Sequence, residues 1–310
     1  MTGVKVRIGI GSLPLAGGAG PGPELAELVD ELEARRIDSL WLADQASLPL
    51  IDPLVGMGFA VARTRTLKVG SGVIVLPGRN PALVAAQLAS LTALAPKRIL
   101  PAFGVRPAVA AERQLFPAPD GARAALFDES LEVVRRLLAE PRVTHHGRFF
   151  HLDDVSVGPL PPRPPDIWLG GRAPAGLRRI GRLADGWLGS FVTPDEARDA
   201  RAQIERAAAE AGREIEDDHY GTNIAVVAPD ASAAEVAAAR ERAARRRPDL
   251  EPADLVPHGW GEARELVRRY VDAGLTKFVV RPAAPVASWT AFLDEFTAEL
   301  RPLEDELSDE

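Results

Sequence analysis

The stretch DIWLGGRAPAGLRRI, residues 166 to 180, contains an apolar run, a two-glycine turn and the start of a helical pattern. The apolar run ends at Gly170 and Gly171, and Pro174 stands where proline favours the first turn of a helix. The glycines have two open interpretations. They form a tight turn, or they expose unpaired N–H groups at the start of a helix, which attract an anion such as phosphate.

This strand–turn–helix unit recurs along the whole chain. Short apolar runs alternate with helical patterns, such as 23–36, in which apolar residues recur at 3.6-residue spacing. The strand candidates are 4–10, 39–44, 67–76, 98–103, 166–171, 186–190, 220–228 and 277–282. Parallel strands need helical crossovers, so this alternation predicts an α/β fold of the closed (β/α)₈ TIM-barrel type. A doubly wound open sheet is the alternative, but its early Gly-rich fingerprint is missing.

We predict one barrel domain over residues 1–302, followed by an acidic C-terminal tail at 303–310. An insertion before the fifth strand, residues 141–165, alternates in the manner of a β-hairpin. It holds His145, His146 and His151 in one polar and exposed turn. A catalytic metal site would also need carboxylates converging from several strand ends, so these histidines are predicted to be structural and no metal is expected.

Composition excludes several classes of function. A chain of 310 residues with 46% apolar residues can bury a large core, and a net charge of −7 gives no support to nucleic-acid binding. The basic run ARERAARRR (239–247) is predicted to be a solvated helix face. The absence of cysteine excludes disulfides and thiolate metal sites. The N-terminus lacks a signal-peptide layout and no apolar run is long enough to span a membrane, so a cytoplasmic protein is expected.

Catalytic residues of such barrels lie at the carboxyl ends of strands. Asp44 is the only carboxylate at the ends of the early strands, and no histidine occurs in the predicted strand ends. The cations there are Arg79, Arg106, Arg172 and Arg281, of which Arg281 is the one most expected to face a pocket. A barrel with so little chemistry of its own is non-catalytic or uses a cofactor. No lysine is nearby, so an anion at LGGRAPAG would be held by backbone N–H groups, Ser190 and Arg172. Trp41 and Trp168 are predicted to be core residues.

Five stretches resemble the bacterial-luciferase-like monooxygenase family, especially its deazaflavin (coenzyme F420)-dependent oxidoreductases. They are SLWLADQ (39–45), LKVGSGVIVLPGRNPALVAAQLASLTALAPKRIL (67–100), FDESLEVVRRLLAEPRVTHHGRFFHLDDVSVGPLPPRPPDIWLGG (127–171), ADGWLG (184–189) and GEARELVRRYVDAGLTKFVVRP (261–282). They follow the family order over nearly the whole chain. The resemblance implies a barrel whose strand ends hold a deazaflavin or a flavin.

The resemblance also implies which residues bind the cofactor. Its phosphate would lie near GGRAP and Ser190. Members of the F420 type carry a non-prolyl cis peptide bond on the third strand, behind the deazaflavin ring, and Gly72–Val73 stands at that position. Alternatively, Gly70 and Gly72 only let the strand bend. The predicted cofactor-binding residues are Ser12, Gly72, Val73, Gly170, Gly171, Arg172 and Ser190.

The chain departs from the family at two reactive positions. Many F420-dependent relatives follow the aspartate of the second strand with a proton-transferring histidine, where this chain has Gln45, which cannot titrate. Some relatives have a glutamic acid after the fourth strand, near the position of Arg106, which can hold an anionic substrate but cannot act as a general acid. The catalytic candidates are Asp44, Gln45 and Arg106. The proton would come from Asp44, from water or from an unassigned group.

Three functions follow from these residues. The leading hypothesis is an F420-dependent oxidoreductase that transfers hydride to or from an unidentified, mostly apolar small molecule. The second is a monooxygenase that uses reduced FMN, since the same scaffold hosts both cofactors. The third is a non-catalytic cofactor-binding paralogue, because the usual His and Glu are missing. Relatives are frequently dimers, so the expectation of a homodimer rests on the resemblance alone.

Overall fold

Parallel strands and helices alternate in the computed structural model, which describes residues 4–12, 20–107 and 109–308. The strands are β1 (Arg7–Gly11), β2 (Ser39–Leu42), β3 (Lys68–Ser71), β4 (Ile74–Val75), β5 (Ile99–Leu100), β6 (Ala102–Gly104), β7 (Val143–His146), β8 (His151–Val155), β9 (Trp168–Gly170), β10 (Gly186–Gly189), β11 (Tyr220–Val226) and β12 (Lys277–Pro282). The helices are α1 (Pro21–Ala34), α2 (Pro53–Arg63), α3 (Pro81–Leu94), α4 (Arg123–Ala139), α5 (Pro174–Leu183), α6 (Pro194–Glu210), α7 (Ala233–Arg246), α8 (Gly259–Asp272), α9 (Trp289–Glu299) and α10 (Pro302–Glu306).

The parallel strands form the predicted TIM-barrel-like fold. Ten strand segments pair in the order β4-β6-β9-β10-β11-β12-β1-β2-β3-β5. Segments β3 and β4 are two parts of the third barrel strand, and β5 and β6 are two parts of the fourth. Because β3 pairs with β5 and β4 pairs with β6, the two ends of this order meet and the sheet curls round on itself. The eight predicted strands therefore all occur in the barrel.

The insertion before the fifth strand is the predicted hairpin, made of the antiparallel strands β7 and β8. His145 is buried and lies 3.3 Å from Oε1 of Glu129, which corrects the expectation of an exposed turn for this residue. Glu129 also accepts hydrogen bonds from the N–H groups of Phe149 and Phe150. Burial opposes ionisation of Glu129, but these hydrogen bonds outweigh it and lower its pKa. The histidine therefore fastens the hairpin to α4.

Helix α7 is an addition to the barrel plan. It lies between β11 and α8, and its buried face forms a separate apolar cluster with Phe191 and Ala283, which follow the ends of two barrel strands. The basic run at its end is not wholly solvated, contrary to the expectation. The side chain of Arg247 is only 3% exposed, and its guanidinium pairs with Glu196 and Asp249.

The amino ends of the strands are closed by buried charges. Lys277 and Lys68 both pair with Asp38 just before β2. The segment expected to be an acidic tail contacts this end of the barrel, because Glu304 accepts a hydrogen bond from the N–H group of Ile8 at 2.6 Å. Leu303 is buried beside it. Within the described ranges, no helix is both long and apolar enough to cross a membrane.

Candidate functional site

Small residues face the barrel axis at the carboxyl ends of the strands. One apolar cluster fills the barrel interior and contains Trp41, Ala102, Trp168, Leu188 and Val279. Side chains alternate along a strand, so the residues two positions further on face the same way. These residues are Ala43, Gly104, Gly170, Ser190 and Arg281. All but Arg281 are small, whereas the cluster below them contains two tryptophans and a leucine.

The floor of this mouth is aromatic. The rings of Trp41 and Trp168 meet edge to face with centroids 6.1 Å apart. Both residues are buried, which confirms their prediction as core residues. A flat ligand above this floor would contact apolar side chains and the backbone of small residues.

The third strand carries the cis peptide bond between Gly72 and Val73, as the resemblance implies. It belongs to a bulge, because the three residues Ser71–Val73 lie opposite the two residues Pro101 and Ala102. The hydroxyl group of Ser71 donates to the carbonyl oxygen of Ala102 and accepts from its N–H group, both at 2.9 Å. Ser71 thus satisfies the ladder groups that the bulge leaves without backbone partners. No sequence pattern points to this residue.

The side chain of Val73 packs between two glycines of neighbouring strands. A Cβ atom at Gly104 would lie 2.6 Å from Cγ2 of Val73, and one at Gly170 would lie 3.0 Å from Cγ1. A larger residue at position 170 would require Val73 to shift by a few tenths of an ångström, so the bulge favours glycine there, a role that neither sequence interpretation foresaw. Gly72 and Val73 themselves remain partly exposed and form one wall of the mouth.

The turn after Gly170 exposes the start of α5. Gly171 has φ of +132°, and its carbonyl oxygen accepts a hydrogen bond from Nε1 of Trp187 at 2.8 Å. No side chain caps α5, whereas Asp52, Asn80 and Thr193 cap α2, α3 and α6. Residues 171–175 are exposed. The turn and the anion interpretations are thus compatible, because the same glycine shapes the turn and leaves the helix start open.

Ser190 lies across from this helix start, at the end of β10. Nδ2 of Asn223 donates to Oγ of Ser190 at 2.8 Å, so the hydroxyl proton of Ser190 is free to be donated elsewhere. Arg247 donates to the carbonyl oxygen of Phe191, a residue in the left-handed region with φ of +55°. Asn223 and Arg247 therefore position Ser190. No sequence pattern indicates the role of Asn223. Arg247 ends a run of arginines, which gives no sign that this one is buried.

Arg172 and Ser12, the remaining predicted cofactor-binding residues, lie in different surroundings. Arg172 is exposed, and its Nη2 donates to the carbonyl oxygen of Arg246 at 3.3 Å. It also lies near Asp249, whose pKa is lowered to about 2, mainly by its hydrogen bonds with Arg247. Ser12 is half-buried, and its N–H group donates to the carbonyl oxygen of Trp41 at 3.0 Å. Residues 13–19, which follow Ser12, lie outside the described ranges.

Asp44 forms an ion pair with Arg79. Its Oδ2 atom accepts from Nη2 of Arg79 at 2.9 Å and from the N–H group of Val75 at 3.0 Å. The side chain is only 4% exposed. A carboxylate paired in this way is an acceptor and not a proton donor. Asp44 therefore ties the second strand to β4, just beyond the bulge.

The other two catalytic candidates are not brought together. Gln45 is half-buried and Arg106 is exposed. Within the described parts of the chain, neither side chain makes a hydrogen bond or an ion pair. Arg106 instead lies near another cation, Arg123, whose pKa is lowered by burial and by that neighbour. The structure does not join Asp44, Gln45 and Arg106 into one reacting group.

Two titratable residues at this edge were missed by sequence reasoning. Glu112 is 1% exposed, accepts from the N–H and hydroxyl groups of Ser47 at 2.8 and 2.6 Å, and keeps its Oε2 atom without a partner. It thereby links the loops after the second and fourth strands. His258 pairs with Val227 just beyond β11, and its Nε2 atom is buried without a partner. The length of the segment between β11 and α8 is the sequence feature that could have indicated a residue such as His258 at this edge.

The barrel with its bulged third strand has the architecture of luciferase-like oxidoreductases. The chain belongs to the Luciferase-like monooxygenase family, which it matches over residues 2–296. An uncharacterized protein of Mycobacterium tuberculosis is 36% identical over 165 residues, which is 53% of this chain. The chain matches 57% of that relative's length, little more than half.

Longer matches carry functional names. The F420-dependent glucose-6-phosphate dehydrogenase of Kineococcus radiotolerans is 25% identical, with 90% of this chain and 92% of that protein covered. The structure of an F420-dependent secondary alcohol dehydrogenase in complex with an F420-acetone adduct superposes with a TM-score of 0.80, 20% identity and coverage of 96% and 99%. The FMN complex of a type II Baeyer-Villiger monooxygenase from Pseudomonas putida superposes with a TM-score of 0.73, at 16% identity and with 98% of both chains covered. Proteins of this fold thus bind either F420 or FMN.

Proposed function

We propose that this protein is an F420-dependent oxidoreductase that transfers hydride to or from a small organic molecule. The observation that carries the proposal is the bulge at Gly72–Val73, set against a barrel mouth lined by small residues. The relatives named for F420 support the choice of cofactor, because one of them matches along most of both chains.

The residues at the mouth fit a deazaflavin. Gly72 and Val73 would support the ring, because they are partly exposed and rest on the aromatic floor. The N–H groups at the start of α5 and the hydroxyl group of Ser190 would hold the phosphate. Arg172 would contribute charge from the solvent side. When bound, F420 supplies or accepts the hydride, which this chain cannot do with its own side chains.

The chain's own contribution is positioning. Gln45 would hydrogen-bond a carbonyl group of the cofactor or substrate through its free amide. Asp44 holds the strand beyond the bulge, so we assign it no proton transfer. We propose that water at the mouth of the barrel exchanges the proton, since Asp44 is engaged with Arg79.

The test is the spectrum of the protein purified from a host that makes F420, followed by turnover assays. A retained chromophore at about 400–430 nm indicates a deazaflavin, whereas a flavin absorbs at about 450 nm. Hydride transfer to any of a panel of enones, nitroarenes and alcohols then establishes the oxidoreductase. A bound deazaflavin with no transfer to any compound would favour a non-catalytic paralogue. Oxygen-dependent turnover with FMN and a reductase would favour the monooxygenase.

A further inference from the structure

Arg281 is the one large side chain among the small residues of the mouth. It follows Val279 of the interior cluster by two positions, so it faces the barrel axis one step closer to the opening. Its Cβ and Cδ atoms lie 3.3 and 3.8 Å from the point that a Cβ of Gly11 would occupy. On its other side it pairs in register with Ala225. Two small residues, Gly11 and Ala225, therefore flank the base of this side chain.

No acidic residue of the described ranges pairs with this group. Across the described residues, Arg281 makes no hydrogen bond or ion pair. A second cation, Arg242, acts on it electrostatically, and the Nη2 atom of Arg242 donates to the carbonyl oxygen of Ala283. Burial, and then repulsion by Arg242, lowers the pKa of Arg281. A guanidinium nevertheless stays protonated in proteins, so its charge remains and has no partner.

The acidic side chains described at the mouth do not pair with Arg281. The segment 13–19, which follows Ser12 at the mouth, has the sequence LPLAGGA and contains no acidic residue. The acidic residues 309 and 310 follow Ser308, which accepts a hydrogen bond from the N–H group of Val6 at the opposite end of the barrel. At the mouth, Asp44 and Glu196 are already paired with Arg79 and Arg247.

Arg281 is half-buried, and a partly desolvated charge without a partner is unfavourable, so the site is suited to a ligand of opposite charge. We propose that Arg281, assisted by Arg242, binds a carboxylate or phosphate group of the substrate. The planar guanidinium matches both groups through two parallel hydrogen bonds. This inference rests on the proposed function for the reaction, and it names the substrate as a small organic anion.

This subsite is distinct from the proposed phosphate site of the cofactor. That site is formed by the turns after β9 and β10, whereas Arg281 lies on β12, beyond the intervening strand β11. The unpaired cations at the mouth also contrast with the net charge of −7 of the whole chain. An unpaired cation at the mouth attracts anionic ligands towards it.

The experiment measures binding of benzoate, phenyl phosphate and neutral benzamide by titration calorimetry, with and without bound F420. The variants are Arg281→Gln, Arg281→Lys and the control Arg206→Gln, which removes an exposed charge from α6. We expect an anion to bind the wild type and the control, Arg281→Gln to weaken that binding about tenfold or more, and Arg281→Lys to lie between them. The affinity for F420 is expected to change less than about threefold, because Arg281 is assigned to the substrate.

Two results would overturn the inference. The first is equal binding of an anion to wild type and Arg281→Gln, or of benzamide and benzoate to the wild type. The second is a loss of F420 affinity in Arg281→Gln with anion binding unchanged, which would assign the guanidinium to the cofactor. Failure of the wild type to bind F420, with Arg281-dependent anion binding intact, would contradict the proposed function and leave this subsite standing.

Discussion

A Cβ atom at Gly104 would lie 2.6 Å from Cγ2 of Val73, so the bulge of the third strand requires a glycine on the fourth. The two residues are 31 positions apart in the sequence, and neither position alone indicates the contact. Together they fix the wall against which the proposed cofactor lies. The predictions below test this wall, the charges at the two ends of the barrel and the expected assembly.

The variant Gly104→Ala tests the contact between the two strands. The added methyl group overlaps the side chain of Val73, so we expect a loss of about 1–3 kcal/mol in the free energy of unfolding. Urea denaturation measures this loss. The matched control is Gly261→Ala in α8, where an added Cβ meets no atom within 4 Å. An unchanged stability in Gly104→Ala would show that Val73 moves aside freely.

The variant Ser71→Ala tests the hydrogen bonds that close the bulge. It leaves the N–H and carbonyl groups of Ala102 without the partner that Ser71 provides, which costs about 1–3 kcal/mol. The control Ser90→Ala removes an exposed hydroxyl group from α3 and should change stability by less than about 0.5 kcal/mol. Equal denaturant midpoints for the two variants would contradict the role given to Ser71.

The variant Asp38→Asn tests the charges at the amino ends of the strands. Burial opposes ionisation of Asp38, but the attraction of Lys277 and Lys68 outweighs it and holds its pKa below the ordinary value. A carboxylate with a lowered pKa stabilises the fold above its unfolded pKa of about 4, and that contribution disappears as the pH falls through the lower folded value.

We therefore expect Asp38→Asn to lose about 3–5 kcal/mol at pH 7, because it leaves buried cations without their anion. Its deficit relative to wild type should shrink below about pH 4. Denaturation at several pH values measures both. Asp294→Asn is the control, since its pair with Arg35 is 65% exposed on the aspartate side and is worth about 0–1 kcal/mol. A deficit that is constant with pH would contradict the assignment.

The expected homodimer can be tested on α2 and α3. Val55 and Leu83 are 66% and 64% exposed on these neighbouring helices, and α3 has no charged residue. If a second copy covers them, Leu83→Glu should convert the dimer to a monomer in light scattering. The control Leu94→Glu alters a residue that is also exposed, at the far end of α3. A wild-type monomer at all concentrations would contradict the expectation.

The barrel could be predicted because its signals are local. Apolar runs of strand length and 3.6-residue patterns placed every barrel strand and the helices between them, including the turn from Gly170 to Pro174. The cis bond at Gly72–Val73 was placed by resemblance, not by physical reasoning, because its local sequence also fits a simple bend.

The site could be predicted only in part because its signals join distant residues. Nothing in the sequence near Gly170 shows that Val73 packs against it. Asp44 was singled out as a catalytic carboxylate, and its partner Arg79 became apparent only when the third strand was folded beside the second. Glu112 gave no signal, because a glutamate in a polar loop is ordinarily solvated.

The central claim is that backbone N–H groups and Ser190, on a glycine-shaped rim, hold the phosphate of F420. Fluorescence titration of F420 into the wild type, Ser190→Ala and the control Ser90→Ala tests it most directly. We predict saturable binding at micromolar concentrations or below, weakened about three- to tenfold in Ser190→Ala only. No binding of F420 at about tens of micromolar, with tight binding of FMN instead, would contradict the account.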